Sequence, residues 1–382
     1  MRQIETKLRI IGTVLILMSY VGLDAQERYF TQFYAEPLLL DPSLTGNFDG
    51  NYRINLGYRN QWFKNLENPF STFALSVDLN FDLDKRKRVN DMAAAGLYFA
   101  NDKAGVLSFG NTEMGVAGSY KKSLGPGKYL SGGLYLSLVQ RNINFTNITF
   151  EDQFNGENGY TAGTAENLGG NNFSYFDQGI GISYSDYAQK TSGFNVGIAL
   201  AHPTRPEISF YKRDEILGLT ATSFKLPMKI TAHAGAMIPI GEDLALIPRL
   251  MYVRQGVQDM ATVGTNVRIH ANLFNFYTGL WGRGAGANAT YVFDSAGLLL
   301  GVEYDNWMLG LSYDAAIPNI IRYSRNQGTF TFPICIIRLS KTNPYEISST
   351  AFNTPTAKPF LFLPVILNAL ISWALFAPIL RE

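Results

Sequence analysis

The residues best equipped for catalysis or metal binding in this 382-residue chain are its histidines, His202, His233 and His270, and its one cysteine, Cys335. A hydrolase needs one such histidine beside a serine nucleophile and an orienting acid. No Gly-x-Ser-x-Gly turn presents a serine in that way. No two histidines are spaced as a metal pair on one element, and a lone cysteine forms neither an internal disulfide nor a cysteine-based zinc site. The reading is therefore of no enzyme, no metal and no cofactor, with the histidines packing in the lumen or at the rim of a barrel. A second group is more informative: Arg53, Arg59, Asp78, Arg268, Glu303 and Asp314 each sit in a stretch where polar and apolar residues alternate. Charges so placed face an interior, where they pair with one another or line a watery path. Paired filling and a selective pore are both consistent with them. The run from Lys85 to Arg88 falls in a turn, where it either attracts an acidic partner or is simply solvated.

The elements that position these residues follow from period two. Tyr52, Ile54, Leu56 and Tyr58 alternate with Arg53, Asn55, Gly57 and Arg59. Phe73, Leu75, Val77 and Leu79 alternate with Thr72, Ala74, Ser76 and Asp78, and similar runs centre on Val196, Val267 and Leu311. This is the pattern of strands, not of helices. Aromatic residues recur at the ends of the apolar face, as a membrane-interface girdle requires. The fold expected is all-β: a transmembrane antiparallel β-barrel of about 14 strands, in contact with outer-membrane lipid. The even-numbered connections are short, for example Pro239–Asp243 and Ala271–Leu273. Odd-numbered ones are mostly longer: Ile143–Asn172, Pro203–Phe224, Gly284–Ser295 and Ala315–Gln327. Short periplasmic turns and long outer loops are the habit of bacterial barrels. The first half of Ile143–Asn172, with Phe145, Ile148, Phe150 and Phe154, is expected to extend the wall as a β-rim. Charged residues make up 16% of the chain and the net charge is +1, which excludes nucleic acid as the main partner.

The organisation read from the chain has four parts. Residues 1–25 form a signal peptide, with Arg2, Lys7 and Arg9 before an apolar run. Residues 26–50 form a plug or docking segment, too apolar for a free tail and too broken by Pro37 and Pro42 for a strand. Residues 51–340 form the barrel. Residues 341–382 form an atypical tail whose stretch from Phe360 to Leu380 is about as apolar and long as a membrane helix, though interrupted by prolines.

Three stretches stand out: Gln32-Phe33-Tyr34-Ala35-Glu36-Pro37-Leu38-Leu39-Leu40-Asp41-Pro42, then Tyr58-Arg59-Asn60-Gln61-Trp62, and Gly310-Leu311-Ser312-Tyr313-Asp314. Together they resemble the PorP/SprF family of outer-membrane proteins associated with type IX secretion and gliding motility in Bacteroidetes. Glu36 and Asp41 stand where the family usually has Asn. The resemblance covers roughly residues 26–338. It implies a non-enzymatic accessory of protein export or surface attachment. The implied partners are a secreted protein carrying a C-terminal sorting domain and other type IX secretion components. It also implies that Phe30, Gln32, Phe33, Tyr34, Pro37, Leu38 and Pro42, with Arg59, Asn60, Gln61 and Trp62, bind a partner or plug the lumen. An outer-membrane channel or hydrophobic-solute transporter with an N-terminal hatch is the alternative.

Overall fold

The computed structural model describes residues 30, 32–62, 68–83, 91–105, 107–145, 149–157, 159–161, 163–165, 170–187, 192–210, 225–287, 290–317 and 328–338. The expected signal peptide, the run from Lys85 to Arg88 and the tail 341–382 lie outside them. Fourteen antiparallel strands close into a barrel. They are β1 (Tyr52–Gln61), β2 (Phe70–Asp82), β3 (Met92–Ala104), β4 (Phe109–Gly125), β5 (Lys128–Asn142), β6 (Asn172–Asp186), β7 (Gly193–Ala201), β8 (Lys229–Ile240), β9 (Leu244–Gln255), β10 (Gln258–Ala271), β11 (Phe274–Ala287), β12 (Thr290–Tyr304), β13 (Trp307–Ala316) and β14 (Gly328–Arg338). Each strand pairs with its sequence neighbours, and β14 closes on β1 from Tyr52 opposite Arg338 to Gln61 opposite Thr329. Closure leaves no edge strand, so the wall can sit in hydrocarbon without exposed backbone donors and acceptors.

Burial follows the alternation. In β1 and β2, Arg53, Asn55, Arg59, Thr72, Ser76 and Asp78 are buried, whereas Leu97, Met114, Phe176, Leu280 and Leu298 elsewhere on the wall are exposed. So much apolar surface would be a liability in water; on a barrel it is the lipid face. Two of the short connections show why the turns are tight. Asn272 (φ 43°) and Asp305 (φ 52°) occupy left-handed backbone at the first position of two-residue hairpins, a conformation Asn and Asp tolerate better than other side chains.

Two expectations about the loops change. Most of Gly284–Ser295 is wall: β11 runs to Ala287 and β12 starts at Thr290, with a register shift between Arg283 and Gly284. Glycine and alanine there carry too little apolar contrast for alternation to be read. The described part of Ile143–Asn172 does not extend the wall either. β5 ends at Asn142, and the chain turns through a 3-10 segment at Glu151–Gln153, closed by the Phe150 N–H donating to the Gln153 side chain at 2.8 Å. Phe154 then bridges to Tyr160 within the loop itself.

The N-terminal segment is not a strand. Proline starts two of its turns, where a missing N–H costs nothing: helix α1 (Pro37–Leu40) and a 3-10 turn at Pro42–Leu44, preceded by a 3-10 turn at Phe33–Ala35. The segment lies inside the barrel. Phe33 packs with Met251, Val253, Met260, Trp281 and Leu299, and Leu38 with Tyr98, Ala117, Tyr135 and Ala201. The wall makes room for it with glycine. A Cβ on Gly133 would stand 2.3 Å from the Pro42 carbonyl oxygen, and one on Gly96 would stand 2.6 Å from Leu38 Cδ2. Gly133→Val is therefore expected to unseat the segment and to lower barrel stability by about 1–3 kcal/mol, the usual range for overpacking. Denaturant unfolding of the purified variant in detergent checks this, the wild type being unfolded alongside.

Candidate functional site

The site is the lumen and the segment that fills it. Near the short-turn ends of β1 and β2, Arg53 donates to Asp78 from Nε (3.0 Å) and from Nη2 (2.6 Å); both residues are buried, and Asp78 has no contact with solvent. Two donors on a planar guanidinium match two carboxylate oxygens, which makes this the stronger kind of ion pair. Asp78 also accepts the Gly46 N–H at 2.7 Å, and Arg53 donates to the Leu44 carbonyl at 3.2 Å. The same stretch is held from β2 and β4. Ser119 donates to the Thr45 carbonyl (2.6 Å), Lys121 to the Gly46 carbonyl, and Asn80 to the Gly50 carbonyl (3.0 Å). Backbone groups that a short turn leaves unpaired are thus satisfied by side chains of the wall.

A second anchor sits at mid-height. Asp41 Oδ1 accepts the Ser43 N–H (2.8 Å), capping the turn, and Asp41 Oδ2 lies 2.9 Å from His233 Nε2 on β8. Ser43 donates to Ser183 of β6 at 2.8 Å. A third anchor is aromatic. Tyr34 stacks on Trp281 (5.7 Å between centroids), Phe33 meets the same indole edge-on (5.8 Å), and the Arg249 guanidinium lies 3.7 Å above the Tyr34 ring. Asn266 ties this group together by donating to the Tyr34 hydroxyl and accepting from the Trp281 indole.

Glu36 is the segment's one deeply buried acid without an ion pair among the described residues. Its Oε2 accepts from Ser76 at 3.4 Å, and its Oε1 has no partner among them. Burial pushes its carboxyl up from 4.5 to about 8, against the opposing pull of the Ser76 hydroxyl and the Arg53 charge. At neutral pH it is mostly the uncharged acid, which is how a carboxyl without a cation is accommodated.

Above the segment lies a cavity of about 80 Å³. Its floor includes Phe33, Glu36, Leu38, Leu39 and Leu40, and its upper wall includes Glu113, His202, Lys229 and Thr231 at the long-loop ends of β4, β7 and β8. Tyr98 donates to Glu113 (2.8 Å). Tyr135 donates to Asp177 (2.9 Å), whose same oxygen lies 2.7 Å from His202 Nδ1.

The structure thus gathers Phe30, Gln32, Phe33, Tyr34, Pro37, Leu38 and Pro42 within the wall. Arg59 is buried there too and donates to Gln61, but Asn60, Gln61 and Trp62 stand apart at the long-loop end of β1. Trp62 adopts left-handed backbone (φ 61°) and packs edge-on against Phe70. Arg53 and Asp78 meet; Arg268 and Glu303 approach to 3.9 Å, with Tyr277 donating to Glu303; Asp314 is buried on β13. His270 is exposed beside Asn275. Sequence reasoning singled out neither Lys121, Asn80, Ser119 nor Arg249 as site residues. A lysine at an inward strand position was the signal available for the first. Among the described residues no group of three His, Cys, Asp or Glu side chains could hold a metal ion, and no helix is long and apolar enough to cross a membrane, which says nothing against crossing by strands.

The sequence matches the family model described as Type IX secretion system membrane protein PorP/SprF over residues 23–334. None of the curated proteins compared with the chain matches it. Several solved barrels are similar to it at low identity. The CymD monoaromatic hydrocarbon channel is 9% identical, over 80% of this chain and 93% of its own, with a TM-score of 0.46. A Pseudomonas aeruginosa FadL homologue is 7% identical over 78% and 92%, with a TM-score of 0.47. The P. putida toluene transporter TodX is 11% identical over 78% and 93%, with a TM-score of 0.40. At such scores these likenesses carry no inference about function.

Removing either partner of the Arg53–Asp78 pair leaves a buried charge uncompensated. Arg53→Met or Asp78→Asn is expected to cost about 3–5 kcal/mol, and the double variant less than the sum; denaturant unfolding measures all three. Glu36 gives a pH signature. Its folded pKa lies above its unfolded one, so its contribution is fully present below pH 4.5 and is lost as pH rises toward 8. Glu36→Gln keeps the shape of the neutral acid and should abolish that slope in unfolding free energy between these pH values.

Proposed function

The chain belongs to the PorP/SprF family of type IX secretion system membrane proteins, an outer-membrane barrel, and on that premise we propose that it is a non-enzymatic accessory of protein export. In this reading the barrel engages a secreted protein's C-terminal sorting domain through its long-loop rim, and the short-turn rim, facing the periplasm, meets other parts of the machinery. Its contribution is to export or to surface attachment, gliding adhesins included.

The observation that supports this best is the filled lumen. A bore occupied by a segment anchored to β1, β2, β4, β6 and β8 is poorly suited to conduct a polypeptide. What it offers a client is its rims. A mild-detergent pull-down of the tagged barrel from outer membranes, with mass spectrometry, tests the reading. The expected result is a large secreted protein with a C-terminal sorting domain, lost when the outer loops are deleted. Recovery of the barrel alone from actively secreting cells counts against it.

The second reading, a channel or hydrophobic-solute transporter with the segment as hatch, draws on the apolar cavity floor at Leu38–Leu40. The two separate on loop deletion: an accessory loses its client, whereas a transporter keeps its flux.

A further inference from the structure

We propose that the cavity above the N-terminal segment is a seat for one branched aliphatic side chain (Val, Leu or Ile) carried on an extended peptide. The proposal rests on the preceding reading of the long-loop rim as the client-binding end, and it assigns the contact that reading leaves unspecified. Three observations carry it. The cavity's size is the first. At about 80 Å³ it is smaller than the roughly 150 Å³ of an apolar cavity that holds benzene, so its size suits an isopropyl or isobutyl group.

The second is the division of chemistry within it. The floor is mostly hydrocarbon, from Phe33 and the leucines of α1 with the Glu36 carboxyl beside them, while Glu113, His202, Lys229 and Thr231 place both donors and acceptors around the upper wall. A peptide has that same division, with an apolar side chain flanked by backbone N–H and C=O groups. A purely hydrocarbon ligand would desolvate the polar wall without replacing its hydrogen bonds. The third is preorganisation. Tyr98 is tied to Glu113, and both Tyr135 and His202 are tied to Asp177, so these wall groups are held before a ligand arrives. Ordering costs that would otherwise weaken binding are then already met by the fold.

The test uses the full barrel in detergent and, as probe, the purified sorting domain of the client recovered in the pull-down. Ala199 lines the cavity and is buried. Ala199→Leu should fill the seat and weaken binding about tenfold or more, the worth of burying one such side chain. A second measurement does not depend on that variant folding. In a Cys335→Ala background, Leu39→Cys on the cavity floor should react with N-ethylmaleimide, and the sorting domain should protect it. Equal binding by Ala199→Leu, with Leu39→Cys still reactive in the complex, overturns the seat while leaving the secretion reading intact. Protection by palmitate and not by the sorting domain makes the cavity a lipid site and overturns it as well. A sorting domain that fails to bind even the wild-type barrel defeats the reading and the seat together.

Discussion

Asp78 is the point on which the interior depends. Its carboxylate has no contact with solvent, and its oxygens are taken up by the Arg53 guanidinium and the Gly46 N–H. A buried charge left unpaired is costly enough to unfold a small protein, so these groups hold one another in place. Two of them belong to the wall and one to the segment, so the segment's last turn is part of the wall's own electrostatic solution. Lys121 and Ser119 extend the same arrangement to the neighbouring carbonyls of Gly46 and Thr45.

From that anchor the rest of the lumen follows. The chain rises from Gly46 through two proline-initiated turns. It meets His233 and Ser183 at mid-height and sets Phe33 and Tyr34 against Trp281. Glycines opposite Pro42 and Leu38 are what allow so thick a segment into the bore. The α1 leucines then form a floor partway up the barrel and leave a small cavity above it. A barrel built in this way presents surfaces at its two rims, which is the property an accessory of secretion needs.

The wall was legible in the sequence because lipid lies on one side and polar filling on the other. Every second residue of β1 and β2 therefore reports its environment. The rule failed where that contrast vanishes, along Gly282–Ala287, and where a side chain closes a turn, as Gln153 does for Phe150. The segment's apolar residues announced that they must pack, but not against what. The Asp41–His233 contact spans 192 residues, a separation about which periodicity is silent. Glu36 is instructive in another way. It stands where the family resemblance places Asn, and burial keeps it mostly uncharged, so it offers a donor and an acceptor as an amide does. The sequence shows a carboxylate; only the fold shows the burial that raises its pKa.

The central claim is that the N-terminal segment lies fixed within the barrel, and a crosslink tests it most directly. Ser43 and Ser183 hydroxyl oxygens are 2.8 Å apart, within reach of a disulfide once both are cysteine. The pair Ser43→Cys and Ser183→Cys, in a Cys335→Ala background, would be expressed in outer membranes and scored by mass spectrometry of the joined peptides. Near-complete crosslinking in the folded barrel, absent from either single variant, is the predicted result. Two free thiols in a folded barrel under mild oxidant would contradict the account.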